Sequence, residues 1–530
     1  MNFMRSTRRF AAPLGVVAIA AIALTGCVAD GGEADGRASQ TISIASWDPE
    51  NLIPGNTYAF QHSTLLFSTL LRLDAETGEI GNLVAETVDT EDQKTWNITL
   101  QDGWKFHDGE AVTAGSFAAA WNATAYGPNA WIQNSYFANI EGYAELNPAD
   151  GSTPAVDTLS GVEVVGDLEL KVTLTEPNGL FPYTLANFAL SPLPSVAFDD
   201  LEAFSKNPIG NGAYQLEGSY TPNETVTLVR YEDYAGTAAT TQYLDFVPYT
   251  NYSTAYNDAL AGSVDLVYPV PPERLSDVES SFGDAHAESP IPNLNYLAFP
   301  MWDKRFQNAD LRKALSMAID RDSIVKTILQ GAGQAAYGMA PESAEGARAD
   351  TCEFCAYDPD AAKKLFASAG GWDGPMTLWA SSYGNNDQIL QAVANQLKNN
   401  LGIEDITFEL GENVYQQVMN KENDGASLEY WGAFFPHIQA MVEPFYGSNG
   451  AGNVTGYSNA EVDRLLALGD ATSGAEAIAF YQQAEDIALK DMFLAPLYFQ
   501  TFTAVWSDRI QSVPVGPQGY GDLTTLKLTN

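Results

Sequence analysis

Cysteine, histidine and positive charge are all scarce in this 530-residue chain. It has three Cys and four His, and 26 Lys plus Arg stand against 67 Asp plus Glu. Three cysteines cannot build a disulfide scaffold, and one C-x-x-C pair without a second lacks the ligand count of a structural zinc site. His62, His107, His286 and His437 are scattered with no two at metal-ligand spacing, so no metal and no cofactor is expected. A formal charge of −41 repels phosphodiester backbones and anionic headgroups, which excludes nucleic acid as a partner. The acids are spread along the chain and not gathered into a tail, so they read as a solubility or salt adaptation. There is no G-x-S-x-G elbow, no H-E-x-x-H and no G-x-x-x-x-G-K-[ST] loop, and no catalytic residue is assigned. Carboxylate pairs of the glycosidase kind stay open at this point, because 67 acids offer many of them.

Long apolar runs are also missing, apart from one at the start. Arg5, Arg8 and Arg9 precede an uncharged stretch from Phe10 to Leu24, followed by Leu24-Thr25-Gly26-Cys27. A basic start, an apolar run of about 15 residues and small residues at the cut form a secretory signal, too short for the roughly 20 residues of a spanning helix. Residues 1–26 are therefore expected to be removed. A Cys directly after Leu-Thr-Gly resembles the bacterial lipobox, which implies that Cys27 carries lipid and anchors the chain to the outer face of the cell membrane. Residues 27–39 are small, polar and glycine-rich, as a flexible tether would be. Outside the membrane, Cys352 and Cys355 are expected to form a short local disulfide, with paired free thiols as the other outcome.

Beyond the tether, Thr41–Ser46 and Trp96–Leu100 alternate apolar and polar residues as strands do. Val162–Val165 and Leu168–Leu174 predict a hairpin turning at Gly166-Asp167, with Leu168, Leu170, Val172 and Leu174 on one face. Val226, Leu228 and Tyr231 suggest another strand. In the second half Asn308 can cap a helix striped by Leu311, Ala314, Leu315, Ala318 and Ile319. A second helix runs from Asp358-Pro359 to Ala369-Gly370, and others cover Ile389–Leu401 and Ala460–Leu468. Strands interspersed with helices and no fixed repeat predict a large mixed α/β protein with ample core, two to four domain-sized units long.

Several blocks occur in a telling order: Leu71-Arg72-Leu73-Asp74 through Ile80 with Asn82–Glu86; Leu100–Gly109 (LQDGWKFHDG) with Val112-Thr113-Ala114; Asn207–Tyr214 (NPIGNGAY); Gly262–Leu266; Leu311–Arg321; and Tyr357–Leu365. Taken together they resemble the large peptide- and nickel-type solute-binding proteins of ABC importers, family 5, over nearly the whole chain after the signal. The resemblance implies an α/β, bilobal periplasmic-binding-protein-like fold with a hinge and an extra domain packed on the first lobe. It implies a first lobe from residues 40–75, 205–295 and 500–530, an extra domain over 76–204 and a second lobe over 296–499. The implied partners are an oligopeptide or other small organic ligand and a membrane permease, with the chain acting as a monomer. Within the blocks, His107 reads as structural and Asp320-Arg321 as a packing and surface charge pair.

The best candidate for ligand binding is Leu428–Tyr446, where a strand ends in Tyr430, Trp431, Gly432, Ala433, Phe434, Phe435 and His437, a mixture that pure core seldom uses. The segment resembles the family's W-x-A-D-Y pattern, whose Asp meets the amino end of a bound peptide. Phe434 stands where that Asp should be. Either another acid, Glu429 or Glu443, supplies the charge, or the ligand has no free amino end and is an oligosaccharide or a blocked peptide. Tyr58, the Trp131, Asn134 and Tyr136 patch, and Tyr383 with Asn385 and Asn386 are further candidates for the cleft wall.

Overall fold

Alternation along Thr41–Ser46 buries Ile42 and Ile44 completely, and this strand lies parallel to Tyr243–Pro248 and Leu266–Val267. It belongs to an eleven-stranded sheet of the computed structural model, which describes residues 36–412, 414–433, 435–450, 452–516, 519 and 521–529. The signal segment, Cys27 and Phe434 lie outside the described residues. Gln40–Asn530 forms one unit, and of the preceding unit only a helical turn is described, closed by Ser39 Oγ donating to Gly36 O. No helix among the described residues is long and apolar enough to cross a membrane.

Two 13-residue strands, His286–Ala298 and Leu494–Trp506, run antiparallel through the middle of the large sheet. On one side of them stand Ala426–Gly432, Met376–Ser381 and Ile406–Gly411, the last two pairs parallel. On the other stand Leu266–Val267, Thr41–Ser46, Tyr243–Pro248, Val226–Arg230 and Tyr214–Leu216. The hydrophobic core divides along these two strands. Leu294 and Tyr296 pack with one core and Ile291 with another; likewise Phe499 belongs to the first of these and Phe502 to the second. Pairing is interrupted at that level, between Pro290 and Leu294, where Pro292 has no amide hydrogen to donate. Each lobe therefore owns its core, and the join is a pair of crossing strands with a bulge, a geometry suited to hinge closure.

A four-stranded antiparallel sheet, Ala85–Thr90, Thr95–Leu100, Glu169–Thr173 and Val162–Gly166, shares the core that contains Ile42 and Phe246. Its hairpin turns one residue later than the alternation suggests. Gly166 pairs with Glu169 after a register shift, and the edge strand leaves Val164 and Val165 exposed while Leu170 and Val172 are buried. The helices arise from their expected caps: Asn308 accepts from Asp310 N ahead of Ala309–Met317, and Asp358 accepts from Ala361 N ahead of Pro359–Ser368.

Two sequence blocks turn out to be one structural clasp. Gly103 and Gly109 take positive φ in their turns and leave Phe106 fully buried between them. The neighbouring His107 accepts from Gly210 N at 3.2 Å through Nδ1 and meets Gly212 O at 3.1 Å through Nε2. Side chains are impossible at those glycines, because a Cβ would stand 1.8 Å from Leu66 O at Gly210 and 2.2 Å from Leu65 O at Gly212. Burial holds the His107 ring neutral, with its pKa lowered to about 4.

One expectation needs correcting. Arg321 is not at the surface: it is 1% exposed and forms no carboxylate pair among the described residues. Its guanidinium donates to the carbonyls of Pro496, Ser316, Ile319 and Cys355 and to Ser316 Oγ, at 2.6–3.2 Å. Five donors in a rigid fork suit such a cage of carbonyls. Asp320 serves instead as the cap of helix Arg321–Thr327, accepting from Ser323 N. Cys352 and Cys355 are joined as a disulfide, and the carbonyl of Cys355 is one of the cage's acceptors.

Candidate functional site

Strand Ala426–Gly432 ends beside the hinge strands, with Gly432 opposite Asn293 and Trp431 opposite Leu294. Alternation sends successive side chains to opposite faces. Tyr430 is 66% exposed, whereas Trp431 turns toward helix Ile438–Tyr446. The indole N–H of Trp431 donates to Ala440 O at 3.0 Å, and its ring meets Phe445 edge-on at 5.4 Å, so the ring is fixed before any ligand arrives.

The chain then turns through Phe435 and Pro436 into that helix. Its cap is His437, whose Nδ1 accepts from Gln439 N at 3.1 Å. His437 is buried, its pKa is lowered to about 4 by loss of water, and it is neutral at pH 7. This residue positions the loop. Phe435 stacks on Tyr183 with centroids 4.4 Å apart, and the Tyr183 hydroxyl donates to Glu345 Oε2 at 3.2 Å. Tyr183 sits on the short helix Phe181–Leu185, which is rooted in the other core through Phe181 and Leu185. Nearby, Gly179 N donates to Asp470 O at 2.8 Å. The lobes thus meet at the candidate loop as well as at the hinge.

A cavity of about 320 Å³ opens between Trp431, Phe435, Gln439, Glu443 and Pro444. Glu443 accepts from the Gln439 amide. Burial and the facing Asp470 carboxyl push the Glu443 pKa up, while Asp470, itself raised by burial, accepts from Tyr481 OH at 2.7 Å. Glu429 is placed differently. It is 7% exposed, its Oε1 has no hydrogen-bond partner among the described residues, and it does not line this cavity.

Burial raises the Glu429 pKa from 4.5 to about 7. Folding therefore holds a proton that the unfolded chain releases, and stability falls as pH rises from about 4.5 to 7. Glu429→Gln is expected to remove that loss and to raise the unfolding free energy at pH 8 by about 3 kcal/mol. Urea titrations at pH 4.5 and 8 check this; equal pH dependence in both proteins would contradict it.

The remaining candidates fall into separate places. Tyr383 is 75% exposed beyond strand Met376–Ser381, close enough to Tyr498 to influence its ionisation. Asn386 begins helix Asn386–Leu401, and its amide closes the preceding loop by donating to Ser381 O at 3.0 Å. Tyr58 is 80% exposed and lies near the half-buried Tyr136, which bonds Asn187. Trp131, by contrast, is 5% exposed and packs against the backbone at Gly55 within the core that contains Ile42 and Phe246. Its place in the fold is that of a packing residue. Among the described residues no group of three or more His, Cys, Asp or Glu could hold a metal. Sequence reasoning missed Tyr183 and Glu345, which reach the loop from about 250 and 90 residues away in the chain, and Asp470, which faces Glu443 from 27 residues on; none carries a local pattern.

The sequence signature of the bacterial extracellular solute-binding proteins, family 5 (middle region), matches residues 79–453, and the chain belongs to that family. It is 28% identical over 512 residues to the oligopeptide-binding protein OppA of Bacillus subtilis (strain 168), covering 91% of each chain. To the periplasmic murein peptide-binding protein MppA of Escherichia coli (strain K12) it is 28% identical over 439 residues, covering 80% of this chain and 81% of that one. A solved structure described as the MppA periplasmic murein tripeptide binding protein, unliganded open form, superposes with a TM-score of 0.81 at 26% identity over 92% of this chain and 97% of that chain. The fold is the bilobal one of this family, and the family's members are binding proteins.

Proposed function

We propose that this chain is the extracytoplasmic substrate-binding component of an ABC importer, which captures oligopeptides between its lobes and hands them to a membrane permease. The observation that carries the reading is the fixed aromatic strand end beside the hinge, in a chain whose full-length relatives are named for binding oligopeptides and murein peptides. Exposed Tyr430 and Tyr383 on one lobe and Tyr58 on the other offer rigid faces, and strand ends offer backbone groups. Such surfaces hold a ligand by shape and main-chain hydrogen bonds, with little dependence on its sequence. Closure about the two crossing strands would bury the ligand and present a new outer shape to the permease. No covalent step is required of the chain, and the energy of transport would come from a separate ATPase.

Titration calorimetry with mixed tri- to pentapeptides, combined with solution X-ray scattering, tests this. Binding accompanied by a smaller radius of gyration is expected. Heat from oligosaccharides and none from peptides would replace the ligand class, a reading that the Phe at position 434 motivates.

Anchoring through Cys27 and the monomeric state belong to the same proposal. Intact mass of protein extracted from membranes should exceed that of the bare chain by at least a diacylglyceryl group. Cys27→Ala should abolish the added mass and release the protein from the membrane fraction, because one peptide terminus without acyl chains has no stable hold there. Unchanged membrane retention of Cys27→Ala would contradict lipid anchoring.

A further inference from the structure

The cavity beside Trp431 has a composition that restricts what can fill it. Two of its walls are the aromatic rings of Trp431 and Phe435, and Ala440 and Pro444 add apolar surface. Among the described residues, Glu443 is the only ionisable side chain lining it. At about 320 Å³ it is at the small end of ligand pockets, of a size for one side chain or one chain end.

Among the described residues, the charges that act on Glu443 and Asp470 are of one sign or neutral. Asp470 faces it from the end of helix Ala460–Asp470, Tyr481 reaches Asp470 from helix Gly474–Asp491, and His437 on its own helix is neutral. Neither Glu443 nor Asp470 forms an ion pair with a lysine or arginine among the described residues; Arg348 is engaged by Glu485 and Asp486, and Arg464 by Glu461. The Gln439 amide holds the Glu443 carboxyl in place without neutralising it. An anionic group would be repelled here, and a purely apolar one would strip water from a carboxyl and return nothing. An organic cation gains twice, from the carboxylate and from the negative faces of the rings.

We infer that this cavity receives an ammonium or guanidinium group of the ligand, with Glu443 as its counter-ion and Trp431 and Phe435 as its flanking faces. The inference rests on the peptide reading above and adds a preference to it. The cation can be the amino end of a peptide or the side chain of an internal lysine or arginine. Glu443 is then a specificity residue, and in the empty protein its proton stands where the ligand's charge will sit.

Four tripeptide probes separate these cases in titrations against the wild-type chain and Glu443→Gln: one neutral with a free amino end, its acetylated form, and acetylated forms carrying lysine or norleucine. The wild type is expected to prefer one charged probe over its neutral counterpart at least tenfold, the lysine pair naming a side chain and the first pair naming the amino end. Glu443→Gln should lose that preference and keep its affinity for the neutral probes within threefold. It replaces a carboxyl that already favours its neutral form by an isosteric amide, so folding is preserved. No preference in the wild type, or the same preference in Glu443→Gln, overturns the inference. If no peptide of any charge binds, the peptide reading fails, and n-butylguanidinium decides the cavity alone: a rise in melting temperature seen in the wild type and absent from Glu443→Gln is expected, and no rise in the wild type overturns the assignment.

Discussion

Trp431→Ala is expected to weaken ligand binding by 100-fold or more, about 2.7 kcal/mol, while the circular dichroism spectrum stays that of the folded chain. The expectation follows from how the ring is held. Its N–H is anchored on Ala440 O and its edge on Phe445, so no rotamer freedom is lost when a ligand packs on the exposed part. The same ring forms one wall of the cavity that contains Glu443 and lies at the strand end nearest the hinge. Removing it enlarges the cavity, admits water to the counter-ion and deletes an aromatic face. Part of the core that contains Leu294 and Tyr296 also rests on Trp431, so some stability will be lost; the ring's half-buried position keeps that loss below the loss in binding. Titration calorimetry on the folded variant reads the effect, and unchanged affinity would move the site away from this strand.

Arg321→Leu is expected to lower the unfolding free energy by about 4 kcal/mol, read as a shift of the urea midpoint at unchanged slope. Burial lowers the Arg321 pKa to about 10, which leaves the guanidinium charged at pH 7 in a place with almost no solvent. What makes this tolerable is the set of carbonyls around it: Pro496 from a hinge strand, Cys355 from the disulfide loop, and Ser316 and Ile319 from the end of the preceding helix. Leucine would leave those acceptors buried and unpaired, and each such loss costs about 1–3 kcal/mol. Arg321→Lys should recover only part, because one ammonium cannot reach acceptors arranged for a planar fork. A midpoint unchanged in the leucine variant would mean that water replaces the guanidinium freely.

How far the sequence could be read depends on whether each feature is local. Helices beginning at Asn308 and Asp358 were legible because cap and stripe lie within a few residues of each other. The aromatic strand end at Tyr430 and Trp431 was legible for a related reason, since Gly, Pro and His seldom interrupt core. Arg321 was misjudged because a charged residue after an apolar stripe normally faces water, and its acceptors at Cys355 and Pro496 are 34 and 175 residues away. Trp131 sits next to polar residues in sequence but under Gly55 in space, which no local pattern announces. His437 could have been suspected as a cap from the apolar spacing of Ile438, Met441, Val442 and Phe445 that follows it. Tyr183 could not, because its stacking partner Phe435 lies in the other lobe, 252 residues on.

The most direct test of the central claim is native mass spectrometry of the soluble chain beginning after Cys27, purified without refolding, followed by denaturation and identification of what is released. Peptides bound one per chain are the expected result, and the share carrying a free amino end or a basic side chain would report on Glu443 at the same time. Release of oligosaccharides alone, or a chain that remains empty when offered peptides, would contradict peptide capture.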